Sequence, residues 1–268
     1  MGTGTNTARE SAPAARGDRT SEVVPSTGDM LTTSTLTAWA WVRLGEQHNI
    51  ALTEICDAAG VSEGELRDPG GYLSQRAANR VAELAFERVG PHAAMLAAQL
   101  LDRGHFALPE LVVRSAPTVG DGVPRACEVF PLLHRGSQLV HEMLPDRAIM
   151  RWQCPPELVV HPAYVELVFA IVVQGIRRET GHADTEAAAT WFEHDGPPTP
   201  TEHERVLGPV RFAAPETRLE LSAATLALPL LRASASAHQS AVSVANEALR
   251  GVTNAPLRVT NAASRRRS

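Results

Sequence analysis

A serine flanked by glycines is the first feature of the sequence that could do chemistry. Gly60, Ser62 and Gly64 match G-x-S-x-G, the turn that lifts a nucleophilic serine between a strand and a helix in hydrolases. That turn requires a core strand before it, whereas residues 52–59 have the spacing of a short helix. The pattern therefore favours a turn between two helices, and a serine hydrolase using Ser62 stays as an alternative function.

The same region, residues 52–66, has the outline of a helix-turn-helix. A recognition helix presents hydrogen-bond donors to base edges and cations to phosphates. Here its first residues would include Glu63 and Glu65, and the run from Asp68 to Gly71 would end it within two turns. Acidic side chains at a DNA groove are unfavourable, so DNA binding through this segment is a second alternative only.

The ten histidines do not have the spacing of a metal site. The sequence contains no H-x3-H, H-E-x-x-H or C-x2-C motif. It also lacks a Walker-type glycine loop and the G-x-G-x-x-G of dinucleotide-binding proteins. We therefore expect no metal, no cofactor and no catalytic residues.

Aromatic and arginine side chains in the later part of the chain are candidates for binding a small ligand. Trp152, Trp191 and His194 would form the walls, and Arg151 or Arg211 would anchor an acidic group. Large aromatic residues at strand positions are also typical of an ordinary core. These five residues are the predicted ligand site.

The elements that must position these residues change in type along the chain. Periods near 3.6 predict a helical first third without strands, while residues 106–114 read as a strand and residues 119–134 as a helix. Alternating side chains predict a hairpin of residues 138–144 and 147–154, with Ala148, Met150, Trp152 and Cys154 on one face and Ile149, Arg151 and Gln153 on the other.

A long helix over residues 161–180 is the best supported element. Pro162 suits the first helical position, Arg177 and Arg178 lie in the last turn, and Gly181 can take the left-handed cap. Further segments are predicted as a strand at 188–194, a helix at 201–207, and a closing strand pair at 210–212 and 218–221. The order predicts an α+β fold, a helical lead followed by a mixed sheet packed with helices.

The 268 residues contain 44 % hydrophobic and 21 % charged residues, which is typical of a globular protein. Residues 1–30 are predicted to be disordered, residues 31–232 to form the folded body, and residues 233–268 to be a low-complexity basic tail. The chain carries a net charge of −5. Because the tail is basic, residues 31–232 are more acidic still, and we expect them not to bind DNA by themselves.

Neither cysteine usage nor hydropathy indicates export or a membrane. The three cysteines are widely separated and odd in number, which fits a reducing compartment. The longest uninterrupted apolar run is Leu167–Val173, far short of the roughly 20 residues that span a bilayer. No apolar stretch typical of a secretory signal lies near Met1. We expect a cytoplasmic protein without a membrane partner.

Several short blocks, in this order and spacing, resemble the N-terminal effector-sensing domain of AraC-type transcription regulators, in the branch that includes regulators of ornithine and arginine metabolism. The similarity covers residues 31–232, and the blocks that carry it are the helices 74–89 and 161–181, then Ser115-Ala116-Pro117-Thr118-Val119-Gly120-Asp121, Trp191-Phe192-Glu193-His194-Asp195-Gly196-Pro197, Leu207-Gly208-Pro209-Val210-Arg211-Phe212 and Leu226-Ala227-Leu228-Pro229-Leu230.

The resemblance implies an effector-sensing and dimerisation domain at residues 31–232 that is not an enzyme. Its ligand would be a small-molecule effector, and its protein partner either a second copy in a homodimer or a chain carrying a helix-turn-helix domain. In such regulators about 100 residues with two helix-turn-helix units follow the sensor. Because only the low-complexity tail follows here, we expect a truncated or partner-dependent regulator that contacts DNA indirectly.

Overall fold

The computed structural model describes Met1 and residues 32–254. The predicted disordered segment at residues 1–30 and the tail arginines from Arg258 onward lie outside these residues, apart from Met1. The α-helices of the described part are α1 (Thr35–Gln47), α2 (Leu52–Ala59), α3 (Glu63–Arg67), α4 (Gln75–Val89), α5 (Ala93–Gln99), α6 (Ala107–Arg114), α7 (Val119–Val129), α8 (Pro162–Thr180), α9 (Thr201–Leu207), α10 (Ala223–Leu226) and α11 (Ala235–Asn254).

Eight strands of the described part form two sheets, β1 (Thr32–Ser34), β2 (Tyr72–Ser74), β3 (His134–Arg135), β4 (Gln138–Met143), β5 (Arg147–Gln153), β6 (Ala189–Trp191), β7 (Val210–Arg211) and β8 (Arg218–Ser222). The small sheet has the order β2-β1-β3 and is antiparallel. The large sheet has the order β4-β5-β8-β6-β7, and its β6–β7 pair is parallel. The fold is therefore α+β with a mixed sheet, as predicted.

The first third of the chain is helical, as its periodicity predicts, but it also contains β1 and β2. The prediction of no strand there is wrong because each strand has only three residues and leaves too short a pattern to recognise. Both strands run directly into helices. Ser34 and Ser74 cap those helices, accepting hydrogen bonds from the backbone N–H groups of Leu36 and Ala77.

The segment predicted as a strand at residues 106–114 is the helix α6. Its apolar run of Leu, Val and Pro is too short for periodicity to separate a strand from a buried helix. The Glu110 carboxylate holds the segment that leads into the helix, since it accepts the N–H groups of Gly104 at 2.7 Å and Phe106 at 3.2 Å. Pro109 lies in the first turn, where no backbone donor is required.

The helix predicted at residues 119–134 is confirmed only as far as Val129. A 3-10 turn follows at Phe130–Leu132, and His134 then pairs with Thr33 in the small sheet. The start of α7 is a capping box in which Thr118 and Asp121 each accept the other's backbone N–H.

The long helix α8 is confirmed with its predicted ends. Pro162 is its first residue and Gly181 caps it in the left-handed conformation, at φ 76°. The residues from Ala163 to Ala170 are all buried, because the helices α4, α5 and α9 pack against α8 and Phe169 contacts Phe192.

The hairpin of β4 and β5 is confirmed, but the predicted pairing of residues 210–212 with 218–221 is wrong. Instead β8 lies between β5 and β6, and β7 pairs with the outer edge of β6. Helix α9 carries the chain from β6 to β7, and such a crossover returns the second strand parallel to the first.

The predicted low-complexity tail begins with the helix α11, which packs on α6. Val112 and Val129 form a small apolar cluster with Ala241 and Ala245. This cluster is separate from the main core.

Candidate functional site

An apolar cavity lies between the helices α6, α7 and α8 and the inner face of the large sheet. Its volume is about 160 Å³, and it is partly open to solvent. Its walls are almost entirely carbon, with Phe106, Val113, Val119, Val123, Ala126, Phe130, Leu133, Leu139, Met150, Val168, Ile171, Val172, Ile176 and Leu230 among its lining residues. Cavities of this size and character bind compact apolar molecules such as benzene. This cavity is therefore the candidate ligand site.

Two glycines shape the cavity walls. Gly175 lies within α8, where a Cβ atom would meet no atom within 4 Å, so its missing side chain leaves open space. Glycine inside a helix costs about 0.5–1 kcal/mol relative to alanine. Gly122 on α7 would place a Cβ 3.3 Å from Val113 Cγ1, which shows how closely α7 approaches α6.

Charged side chains gather where the start of α6 meets the end of α8. Glu110, Arg178 and Glu179 line the cavity there, and both carboxylates are more than nine-tenths buried. Arg178 lies between them, with Nη2 3.5 Å from Glu110 Oε1 and Nε 3.4 Å from Glu179 Oε1. Arg103 adds a second cation, since its Nε donates to Glu179 Oε1 at 2.8 Å. The cavity thus combines apolar walls with a paired ionic cluster.

A neutral histidine lines another part of the cavity. Nδ1 of His134 forms hydrogen bonds with the hydroxyls of Thr33 at 3.0 Å and Tyr164 at 2.9 Å. Complete burial lowers the pKa of His134 to about 3, because the charged ring would lose its hydration. This wall therefore carries no charge at neutral pH.

We expect the burial of His134 to make the protein less stable in mild acid. An unfolded chain protonates this histidine near pH 6.5, whereas the folded ring stays neutral down to about pH 3. Unfolding therefore takes up a proton between these values, and the free energy of unfolding falls by up to about 1.4 kcal/mol per pH unit on acidification. Urea unfolding of the wild type and of His134→Asn at several pH values measures the free energy of unfolding. If this free energy depended on pH equally in the two proteins, the expectation would be contradicted.

The five residues predicted from the sequence do not come together at the cavity. Trp152 lies nearest, because it is buried on the inner face of β5 and packs edge-on against Phe130, a cavity residue, at 5.6 Å. Arg151 points to the opposite face and pairs with Glu142 at 2.8 Å and Glu216 at 3.2 Å. The hydrogen bond to Glu142 raises the pKa of Arg151.

The other three predicted residues lie at the far end of the large sheet. Trp191 is covered by the guanidinium of Arg218, 4.0 Å from its ring centre. His194 Nε2 lies 3.5 Å from the buried carboxylate of Glu166, and Arg211 is exposed on the edge strand β7. The set remains a prediction from the sequence, and none of its members lines the cavity.

Ser62 has a structural role in the turn between α2 and α3. Its hydroxyl accepts the N–H of Glu65 at 3.2 Å and lies 2.8 Å from the Glu65 carboxylate, which also accepts the N–H of Ser62. This is a helix capping box, and no strand precedes it. The following helix α3 has only five residues and begins with acidic side chains. It therefore lacks the hydrogen-bond donors and cations with which a recognition helix contacts base edges and phosphates.

Neither a metal site nor a membrane span is found in residues 32–254. No group of three or more histidine, cysteine, aspartate or glutamate side chains there has an arrangement that could hold a metal ion. No helix in that range has both the length and the apolar character to cross a bilayer.

The cavity residues were not predictable from local patterns because they come from many separated elements, α1, α6, α7, α8, β3, β4, β5 and the 3-10 turn. One local signal was present, since Gly175 interrupts an otherwise strong helix just after its longest apolar run. An isolated glycine in a helix usually has a packing or functional reason, and here it faces open space.

Comparison with known proteins agrees with the fold. The family model described as the arabinose-binding domain of AraC transcription regulator, N-terminal, matches residues 50–230. The crystal structure of the transcriptional regulator CdpR from Pseudomonas aeruginosa is similar, with a TM-score of 0.50 and 13 % sequence identity over 76 % of this chain. At that identity the similarity concerns the fold alone, and the chain covers 61 % of CdpR, less than two thirds.

No curated protein matches the chain. The family model nevertheless covers more than half of the sequence, and the family is regulatory. The chain therefore belongs to the family of N-terminal arabinose-binding domains of AraC transcription regulators.

Proposed function

We propose that the cavity between α6, α7 and α8 is the effector site of this sensing domain. The proposal rests on Gly175, which weakens helix α8 and lines the apolar cavity. A Cβ atom there would meet no atom within 4 Å, so a larger side chain at this position could partly fill the cavity. Ligand pockets are typically concave and apolar with a few placed polar groups, which describes this cavity with its ionic cluster.

Helix α6 is suited to report whether the cavity is occupied. One face of α6, with Pro109, Glu110 and Val113, lines the cavity, and the other face, with Val112, packs on α11. The end of α6 is also tied to α11, because Ser115 Oγ lies 3.2 Å from His238 Nδ1. An effector that favours one position of α6 would therefore shift the position of α11 by its differential affinity for the two states.

The family and the charge of the domain support a proposal for its partners. The sensing unit is residues 31–232, in the ornithine and arginine branch of the family, and it acts as a cytoplasmic homodimer or with a chain that carries a helix-turn-helix domain. It contacts DNA only indirectly. The acidic character of residues 31–232 and the short acidic helix α3 support the proposal that this domain does not bind DNA itself.

A thermal-shift screen tests the position of the site. Amino acids, short fatty acids and short alkyl amines are added to the wild type, to Trp191→Ala and to Arg151→Ala. A ligand at about 100 times its Kd adds about 2.7 kcal/mol of stability. We expect both variants to keep the wild-type ligand shift, because neither residue lines the cavity. Loss of the shift in these variants would instead place the effector on the residues predicted from the sequence, and no shift with any compound would count against a sensor.

A further inference from the structure

One carboxylate oxygen of Glu179, a residue that lines the cavity, is buried without a hydrogen-bond partner among residues 32–254. Glu179 has a side chain only 7 % exposed, and its Oε1 accepts from Arg103 and lies 3.4 Å from Arg178 Nε. Its other oxygen, Oε2, has no partner among the described residues and is covered by protein atoms, so the carboxylate must turn to bring Oε2 to the cavity. Leaving a buried charged acceptor unpaired costs more than leaving a neutral one. A ligand that brings a donor to this carboxylate therefore recovers part of that cost.

The neighbouring charged groups are already engaged. Glu110 accepts two backbone N–H groups and lies 3.5 Å from Arg178. Arg178 is also bound to the carbonyl oxygen of Leu101 at 3.0 Å. Both side chains therefore already have hydrogen-bond or ion-pair partners within the protein. The ionic cluster as a whole thus lacks one donor, at Glu179 Oε2.

Arg114 is the one further ionisable side chain among the cavity-lining residues that would favour an anion. It is partly exposed, so water solvates its guanidinium when no ligand is bound. A ligand anion would therefore exchange hydration for a salt bridge with little net gain. The overall acidity of the chain, −5, also favours a cation over an anion.

Resting on the proposed effector site, we propose that the effector is a mainly apolar molecule with a primary ammonium group that turns the Glu179 carboxylate toward the cavity and donates to Oε2. A charge-assisted hydrogen bond of this kind is about twice as strong as a neutral one. The apolar part of the molecule lies along α8, toward Val168 and His134.

Three compounds with the same chain and different head groups test the head-group preference. Hexylamine, hexanol and hexanoate are titrated into the full chain near pH 7, where the amine is protonated, and binding is measured by calorimetry. We expect hexylamine to bind at least about tenfold more tightly than hexanoate, with hexanol between them. Equal binding of all three, or tighter binding of hexanoate, would overturn the ammonium preference while leaving the cavity as the effector site.

The variant Glu179→Gln tests whether Glu179 causes the preference for an ammonium group. We expect it to lose about tenfold in affinity for hexylamine and to keep its affinity for hexanol, which also reports that the cavity is intact. Glu87→Gln removes the same charge from an exposed position of α4 and should bind like the wild type. An unchanged hexylamine affinity in Glu179→Gln would overturn the assignment. Failure of all three compounds to bind the wild type would overturn the effector site itself, together with this inference.

Discussion

Replacing Gly175 with phenylalanine is expected to abolish effector binding while leaving the protein folded. A Cβ atom at this position meets no atom within 4 Å, and Gly175 lines a cavity of about 160 Å³, which one benzene-sized ring would occupy. Overpacking a core costs about 1–3 kcal/mol of stability. The change also removes the destabilising effect of glycine within a helix, and this gain offsets part of that cost. We expect at least about a hundredfold loss of hexylamine affinity, a loss of about 2.7 kcal/mol.

Calorimetry with hexylamine and thermal unfolding together measure this effect. Gly175→Ala is the matched control, since a methyl group leaves most of the cavity free. It should raise the stability by about 0.5–1 kcal/mol and keep most of the affinity. If Gly175→Phe bound the ligand as tightly as Gly175→Ala, the ligand would lie elsewhere and the cavity would not be the effector site.

Phe192→Ala is expected to have the largest effect on stability, a loss of about 3–5 kcal/mol. Phe192 is fully buried between the rings of Phe169 on α8 and Phe212, with ring centres 5.9 and 5.6 Å away. Removing it leaves a void in the core and breaks both aromatic contacts, each worth about 0.5–1.5 kcal/mol beyond its area. Because this stack ties α8 to the end of β6, the cavity wall formed by α8 should loosen as well.

Urea unfolding compares Phe192→Ala with Trp191→Ala, a change at the adjacent residue. Trp191 is half-buried beneath Arg218, and a partly exposed cation–π contact contributes about 0.5–1 kcal/mol. We expect Trp191→Ala to cost less than half as much as Phe192→Ala. Equal losses would mean that the stack does not anchor α8 as the structure indicates.

Elements with strong end signals were predictable from the sequence. The helix α8 was identified from Pro162 and Gly181, and the β4–β5 hairpin from its alternation, because both signals are local. The helix α6 was not, since the hydrogen bonds from Gly104 and Phe106 that begin it depend on the placement of the Glu110 side chain rather than on periodicity.

The site was harder to predict than the fold. Arg151 and Trp152 are adjacent on a strand, and successive side chains point to opposite faces, so they were never able to line one pocket from the same side. The alternation of β5 correctly placed Met150 with Trp152 on the inner face, where Met150 lines the cavity. The packing of α6 and α7 against that face could not be predicted from the sequence, because it depends on contacts between residues far apart in the chain.

Labelling the isoleucine methyl groups tests the position of the effector site most directly. The chain contains five isoleucines, and two of them, Ile171 and Ile176, line the cavity. The other three, Ile50, Ile55 and Ile149, do not. In methyl NMR spectra recorded during a hexylamine titration, with xenon as a second apolar probe, we expect the signals of Ile171 and Ile176 to shift and the other three to stay in place. Shifts confined to the other three signals, or to Ile149 alone, would contradict binding in the cavity.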